Sequence, residues 1–397
     1  MTICEKDLCC GCMACMNACP SGAITRYTDG EGFWFPEVDD ALCTGCNSCR
    51  RVCPVHNVRK NDTFQKKVFA CNSLSDETVL DSSSGGLFTE IAKLILSKNG
   101  VVFGAVLDDR FRVIHSSVST ESGLARLRGS KYVQSDMKDV FPQIKGLLES
   151  GRIVLFSGTP CQVAALYNFA GENRNLYTCD IICHGVPSPM FFEDYKRDLE
   201  KRYKSEISDI KFRYKKPCWE VFSMKVLFKN GQEYAGDAFN DPFLRGFLTD
   251  RVSRPSCHVC GFANLNRQGD VTIADFWRYI PDDEHPLENR KNGISLLMLN
   301  NEKGQAVFEE IASRIRYVAK PVYEAVNGNL CLAKPYEPSW DRSNFWVSYR
   351  QRGYQYCKKR YLRPKNYVPP LVSALNKIVT KYEYEKYRLH DKIDAGK

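Results

Sequence analysis

Between Val68 and about residue 335 apolar residues recur with two periods, and no stretch of either is long. "GLFTEIAKLILSKNG" (86–100) places apolar residues three and four apart and closes on Asn99-Gly100, which predicts a helix with its C-cap. "VVFGAVL" (101–107) is a continuous apolar run, expected as a buried strand, and "RFRVIHSSV" (110–118) is its expected partner. "MKDVFPQIKGLLESG" (137–151) predicts a helix interrupted near Pro142, and "RIVLFSG" (152–158) a strand. A helix is expected over 189–205 and a hairpin over 222–234, turned at Asn230-Gly231. "ISLLMLN" (294–300) reads as a strand and "KGQAVFEEIASRI" (303–315) as a helix. The pattern is that of a mixed α/β body.

The first 60 residues have no such pattern. They hold "CCGCMACMNACP" (9–20) and "CTGCNSCRRVCP" (43–54), two copies of C-x2-C-x2-C-x3-C-P. Disulfides need an oxidising compartment. The opening "MTICEKDLCC" does not read as a signal peptide, and no apolar stretch approaches membrane-span length, so a cytoplasmic location is expected. A chain there with 19 cysteines spends them on metal or redox chemistry. Zinc takes four ligands, usually as two pairs. The doubled run is instead that of a bacterial two-cluster ferredoxin, in which the fourth cysteine of each run crosses to the other cluster. One [4Fe-4S] cluster is then expected on Cys9, Cys12, Cys15 and Cys53, the other on Cys43, Cys46, Cys49 and Cys19. Cys4 and Cys10 fall outside the spacing and read as bystanders. With six Lys/Arg against seven Asp/Glu, residues 1–60 are near neutral and offer little core of their own. The polar stretch 57–67 reads as a linker.

Four later cysteines stand in settings that suit chemistry. Cys161 follows a strand, a turn glycine, Thr159 at an N-cap and Pro160 at the first helical position, so it falls in a first helical turn, where the dipole favours a thiolate. Cys183 lies in "IICHGVPS", where a strand yields to a Gly/Pro loop, and Cys257 and Cys260 form a C-x2-C knuckle. Four thiols suffice for a third cluster; zinc, a Cys161 nucleophile and plain buried cysteines are the alternatives. Cys71, Cys179, Cys218, Cys331 and Cys357 lack such settings and read as structural. Residues 341–397 carry fourteen Lys/Arg against five Asp/Glu, and this excess equals the net charge of +9. They are expected to form a solvated helical extension packed on the body, or a basic surface for an anionic membrane, a nucleotide-linked substrate or an acidic partner. No nucleic-acid module precedes them, and no nucleic acid is expected as a partner.

"SSSGGLFTEIA", "GSKYVQSD", "FSGTPCQVAAL", "CHGVPSP", "RPSCHVCGFANLNRQGDVTIADFW" and "NGISLLMLNNEKG" together resemble the beta-subunit family of hydrogenases and dehydrogenases that use the deazaflavin coenzyme F420. The resemblance runs over about 68–320. It implies FAD and at least one [4Fe-4S] cluster in the body, the latter on Cys161, Cys183, Cys257 and Cys260. No G-x-G-x-x-G follows a strand, so no Rossmann site is expected. On its own "SSSGG" is a serine N-cap or an anion cradle of backbone N–H groups. With the resemblance, Ser83, Ser84, Gly85 and Gly86 are expected at the FAD pyrophosphate, joined by Ser130 and Lys131 of "RGSKYVQS". Lys131 could instead stand beside the flavin N1. Asp270 and Asp275 lie five apart on a presumed strand, face opposite sides and form no acid/base pair. His184 and Asp275 are the candidates for a proton donor.

The expectation is therefore an α+β chain: a bacterial-type ferredoxin domain over 1–60, a mixed α/β flavin-binding domain over 68–340, and a basic helical tail over 341–397. It would be an iron–sulfur flavoprotein oxidoreductase that takes electrons from a low-potential donor such as ferredoxin, or from reduced deazaflavin, and passes them through the clusters and FAD to a small-molecule substrate. The alternatives are a coenzyme F420-dependent beta subunit, or an electron-transfer subunit without a substrate of its own.

Overall fold

The computed structural model of the chain describes residues 2–59, 64–279 and 292–363, together with Pro281 and Leu287. In the N-terminal unit β1 (Ile24–Thr28) and β2 (Trp34–Val38) pair antiparallel. Short helices, Ala14–Asn17 and Ser48–Arg51, occupy matching places in the two halves. Each starts after a residue in left-handed backbone, Met13 (φ 58) and Asn47 (φ 59), as the repeated run requires.

The body is built on β3 (Lys67–Ser73), β4 (Val101–Leu107), β5 (Val113–Val118), β6 (Val154–Gly158), β7 (Leu176–Ile181), β11 (Val271–Asp275), β12 (Ser295–Leu299) and β13 (Ile315–Lys320). They form one sheet in the order β13-β3-β12-β11-β7-β6-β4-β5. The central strands β4, β6, β7 and β11 run parallel, and the flanking strands are antiparallel. The expected pairing of 101–107 with 110–118 is present, Val106 opposite Ile114. A second sheet joins β8 (Ile207–Tyr214), β9 (Ser223–Phe228) and β10 (Glu233–Asp237), and β9 and β10 are the hairpin that Asn230-Gly231 signalled.

The expected break at Pro142 does not occur. The helix begins at Val140, so Pro142 falls in its first turn, where a missing N–H removes no intrahelical bond. The described part of the segment after residue 340 packs on the body, as the helical extension was expected to. Helix Arg342–Tyr361 contributes Phe345, Trp346, Tyr349 and Tyr354 to the core that covers the second sheet, with Phe191, Phe192 and Phe243. Apolar burial, not charge, decides where that part of the tail lies. The rest of the basic tail, 364–397, lies outside the described residues.

The N-terminal unit does not rely on its own interior. Cys12, Ala14 and Val52 enter a core made by Val140, Phe141, Ala165 and Leu166 of the body. Arg254 fastens the two. It is wholly buried and donates from Nε to Cys9 O (2.7 Å), from Nη1 to Gln134 Oε1 (3.0 Å) and from Nη2 to Trp34 O (3.0 Å). Gly11 permits this seating: at φ +68, a Cβ would stand 2.3 Å from Gln134 Nε2. Ion pairs Arg26–Asp136 (2.9 Å) and Arg59–Glu172 (2.7 Å) add rim contacts. Among the described residues no helix is long and apolar enough to cross a membrane.

Candidate iron–sulfur and cofactor site

The two cysteine runs fold into two groups that differ in exposure. Cys9, Cys12, Cys15 and Cys53 are all buried. Cys19 and Cys43 are half-buried and Cys46 is exposed, with Cys49 buried behind them. Cys53 lies near the thiols of the first run, and Cys19 near those of the second. Burial first, and then Cys9 and Cys53, pushes the Cys15 thiol up; burial first, and then Cys19 and Cys46, pushes up that of Cys49.

Three loops bring the four body cysteines together, two of them at the carboxyl ends of parallel strands, where open α/β sheets place ligands. Leaving β6, the chain caps helix Pro160–Ala170 with Thr159 and Gln162 in a reciprocal capping box, and Pro160 opens the helix. Cys161 thus sits in the first turn, its Sγ 3.1 Å from Thr159 Oγ1. Cys183 leaves the end of β7. Cys257 lies in the 3-10 turn Pro255–Val259, and Cys260 caps it. All four line one cavity of about 620 Å3, a volume usual for cofactor sites.

The four thiols are the donor type an iron–sulfur cluster takes, although among the described residues no three metal-ligating side chains close on a single metal ion. Interaction with Cys10, then burial, holds the Cys161 thiol well above the usual range. Burial, then neighbouring thiols, does the same for Cys183, and burial pushes Cys257 up to about 12 and raises Cys260. Four thiols kept from ionising here become thiolates only with a compensating cation.

The same cavity reaches the serine-rich turn. Ser83 and Ser130, 47 residues apart, meet there: Ser130 N donates to Ser83 Oγ at 2.8 Å. Ser84 and Gly86 also line the space. Gly85 is placed differently. Its N–H is already given to Ser295 Oγ (2.9 Å), and a Cβ would lie 2.5 Å from Cys71 O, so it fits the helix start against β3 and β12 and does not face the cavity. Lys131 lines the cavity but turns its Nζ onto the carbonyls of Arg126, Leu127 and Arg128 (2.8–3.0 Å), and burial brings its pKa down to about 7.

Asp275 accepts from Arg213 Nη1 (2.8 Å) and Trp219 Nε1 (2.7 Å), so its carboxylate is held as an ion-pair partner. Asp270 lies before β11 and braces β7, accepting from Thr178 N at 2.8 Å, away from the cavity. His184 reaches Asp250 Oδ1 at 2.9 Å and stacks on Tyr336 at 4.0 Å, beside Cys183.

Sequence reasoning set aside three thiols that the structure brings in. Cys4 stands against Cys9 and Cys53. Cys10 faces Cys161. Cys331 lines the large cavity near Cys257 and Cys260. Cys10 carried a signal, since in a tight loop the residue beside a ligand points away from that ligand's cluster; Cys331 carried none. His115, Arg213 and Arg254 were likewise missed, because nothing in their local sequence marks a buried polar residue. Cys71 and Cys179 are fully buried in the sheet core.

A doubled ferredoxin run, docked on a mixed α/β body whose thiols line a cofactor-sized cavity, defines an iron–sulfur electron-transfer protein. The sequence profile for the C terminus of the coenzyme F420 hydrogenase/dehydrogenase beta subunit matches residues 151–325, and that of the 4Fe-4S dicluster domain matches residues 8–67. Over residues 151–325 the chain carries the C-terminal region of that beta-subunit family, with a 4Fe-4S dicluster domain towards its N-terminus. Among solved structures, a chain of the F420-reducing [NiFe] hydrogenase complex from Methanosarcina barkeri, determined as a xenon derivative, is similar at 16% identity and a TM-score of 0.43, over 74% of this chain and 94% of that one. No curated protein matches the chain.

Proposed function

We propose that the chain is the electron-transfer subunit of a coenzyme F420-linked oxidoreductase, passing single electrons between an outside partner and FAD held in the large cavity. One observation carries this reading: a single cavity joins Cys161, Cys183, Cys257 and Cys260 to Ser83, Ser84, Gly86, Ser130 and Lys131. FAD bound there supplies the exchange between one-electron and two-electron chemistry. The chain's own residues bind and order the groups. Ser83, Ser84, Gly86 and Ser130 would meet the pyrophosphate, while Lys131 holds its Nζ on the carbonyls of a helix end. The four body thiols would hold a third [4Fe-4S] cluster at the other end. Exposed Cys46 marks where an outside redox partner would dock, and the buried group on Cys9, Cys12, Cys15 and Cys53 lies between it and the body. The family match supports the deazaflavin as the two-electron partner over a self-contained reductase of some other small molecule, since it covers the segment bearing all four body cysteines.

The test is anaerobic isolation of the full chain with iron and flavin analysis. About twelve irons, as three cubanes require, and one FAD are expected. Cys161→Ala should lose about four irons, and Cys179→Ala none. Dithionite-reduced protein should bleach the deazaflavin's absorbance. A chain that keeps FAD but holds only about eight irons would remove the third cluster. A fully loaded chain that leaves the deazaflavin oxidised would remove the assigned two-electron partner.

A further inference from the structure

Arg267 lines the large cavity, yet only 1% of it is exposed. Its Nη2 donates to Asp180 Oδ1 (2.9 Å) and to Ile181 O (3.0 Å). Its Nη1 donates to Phe262 O (3.2 Å) and to Asn264 O (3.3 Å). Asp180, fully buried, also takes the backbone N–H groups of Gln268 and Gly269, both at 2.9 Å, and the Thr272 hydroxyl at 2.6 Å. The ion pair is therefore fixed from both ends.

Two of these acceptors have a particular place. Ile181 O stands two residues before Cys183, and Phe262 O stands two residues after Cys260. One planar group thus joins the end of β7, which leads into the Cys183 loop, to the loop that follows the Cys257/Cys260 knuckle. A buried ion pair is a weak means of stabilising a fold, since apolar side chains of similar volume often do as well. Apolar side chains cannot fix the direction of two carbonyls at once, and the rigid fork of an arginine can. Asp180 cancels the charge of Arg267, so what the guanidinium adds here is geometry.

We propose that Arg267 is a positioning residue for the body cluster, holding the Cys183 loop and the Cys257/Cys260 knuckle in the mutual placement that lets their thiols share one [4Fe-4S] cluster. The inference rests on the reading of those cysteines as ligands. Groups that orient metal ligands without touching the metal cost about 10–100-fold in metal affinity when they are removed.

The experiment follows iron release to a chelator from the anaerobically isolated full-length chain, for wild type, Cys161→Ala, Arg267→Met, Arg267→Lys and Thr272→Val, with a melting temperature for each. The body irons are the phase of about four irons that Cys161→Ala lacks. In Arg267→Met that phase should run about 10–100-fold faster, while the other irons leave at the wild-type rate. Arg267→Lys, which keeps the charge without the fork, should fall between the two. Thr272→Val strips hydrogen bonds from Asp180 and from Arg267 Nε but leaves both loop carbonyls bonded. It should lower the melting temperature and leave iron release unchanged. Should Arg267→Met fail to fold, Arg267→Lys decides, and body irons leaving it at the wild-type rate overturn the proposal. An unchanged body phase in Arg267→Met overturns it too, as does equal acceleration of all irons. The same acceleration in Thr272→Val does so as well, because any loss of stability would then suffice. Wild type with only about eight irons would instead remove the body cluster itself, and the proposal with it.

Discussion

Arg254→Met should undock the ferredoxin unit while leaving the body folded. The guanidinium is fully buried and spends its three nitrogens on Cys9 O, Gln134 Oε1 and Trp34 O, at 2.7, 3.0 and 3.0 Å. It also lies over the Phe35 ring at 4.1 Å. Methionine keeps much of the apolar stem and removes every donor. Hydrogen bonds from a charged donor contribute roughly 1.5–3 kcal/mol each. Three of them would sum to about 4.5 kcal/mol at the low end, but contacts within one network do not add fully. The substitution strands three neutral acceptors and no charge, so about 4 kcal/mol, a little under that sum, is a fair expectation.

Two of the three acceptors, Cys9 O and Trp34 O, belong to the N-terminal unit, so most of that loss falls on docking. A change of about 4 kcal/mol is roughly a thousandfold in the opening equilibrium. Amide hydrogen exchange reads it directly. Backbone amides of 2–59 should exchange up to about a thousandfold faster, while the strands β6, β7 and β11 keep their protection. Arg254→Lys, which keeps charge but loses the planar fork, should fall between the two. Uniform loss of protection across both units would mean that Arg254 stabilises the whole fold, and unchanged exchange over 2–59 would mean that the shared apolar core suffices to hold them; either result refutes the argument.

Two further outcomes follow from buried groups. Burial lowers the pKa of His115 from 6.5 to about 4, so the fold prefers the neutral ring; its contribution is full above pH 6.5 and is lost as pH falls from 6.5 toward 4, by about 3 kcal/mol, and His115→Gln should flatten that slope in denaturant titrations run across the window. Ending the chain after Ser339 strips Phe345 and Trp346, 0% and 1% exposed, from the core and should lower the melting temperature sharply below that of the full chain; an unchanged melting temperature would show that helix Arg342–Tyr361 is dispensable.

What the sequence made legible was local. The doubled cysteine run, the Thr159-Pro160 helix start, the Asn230-Gly231 hairpin and the pairing of β4 with β5 each depend on residues close together, and each is present. What it concealed depends on contacts made over long separations. Arg254 looks like any surface arginine until Cys9, Trp34 and Gln134 close around it. Gly85 read as an anion cradle because its neighbours do so; only β3 and β12, arriving from both sides, take its N–H and its space. Helix Arg342–Tyr361 read as an extension packed on the body, but its charged composition concealed that aromatic residues on both sides of a kink at Gly353 enter the core.

The distribution of the cysteines then has a physical reason. Cys161, Cys183 and the Cys257/Cys260 pair come from segments separated by the length of a helix and by the whole second sheet, so no one of them could hold a cluster alone. Metal binding across such separations is folding free energy, because the unfolded chain has no preformed site. The ferredoxin runs are the opposite case, local and able to gather their ligands early. Arg254 and Cys10 sit at the junction, one fixing the backbone of the first run and the other facing the thiol of Cys161. On the proposed cluster assignment, a chain that folds in this way would complete its inner electron path only once the body has closed. Loss of iron from the body should then loosen the ferredoxin seat, whereas loss of iron from the exposed group at Cys46 should leave the body intact.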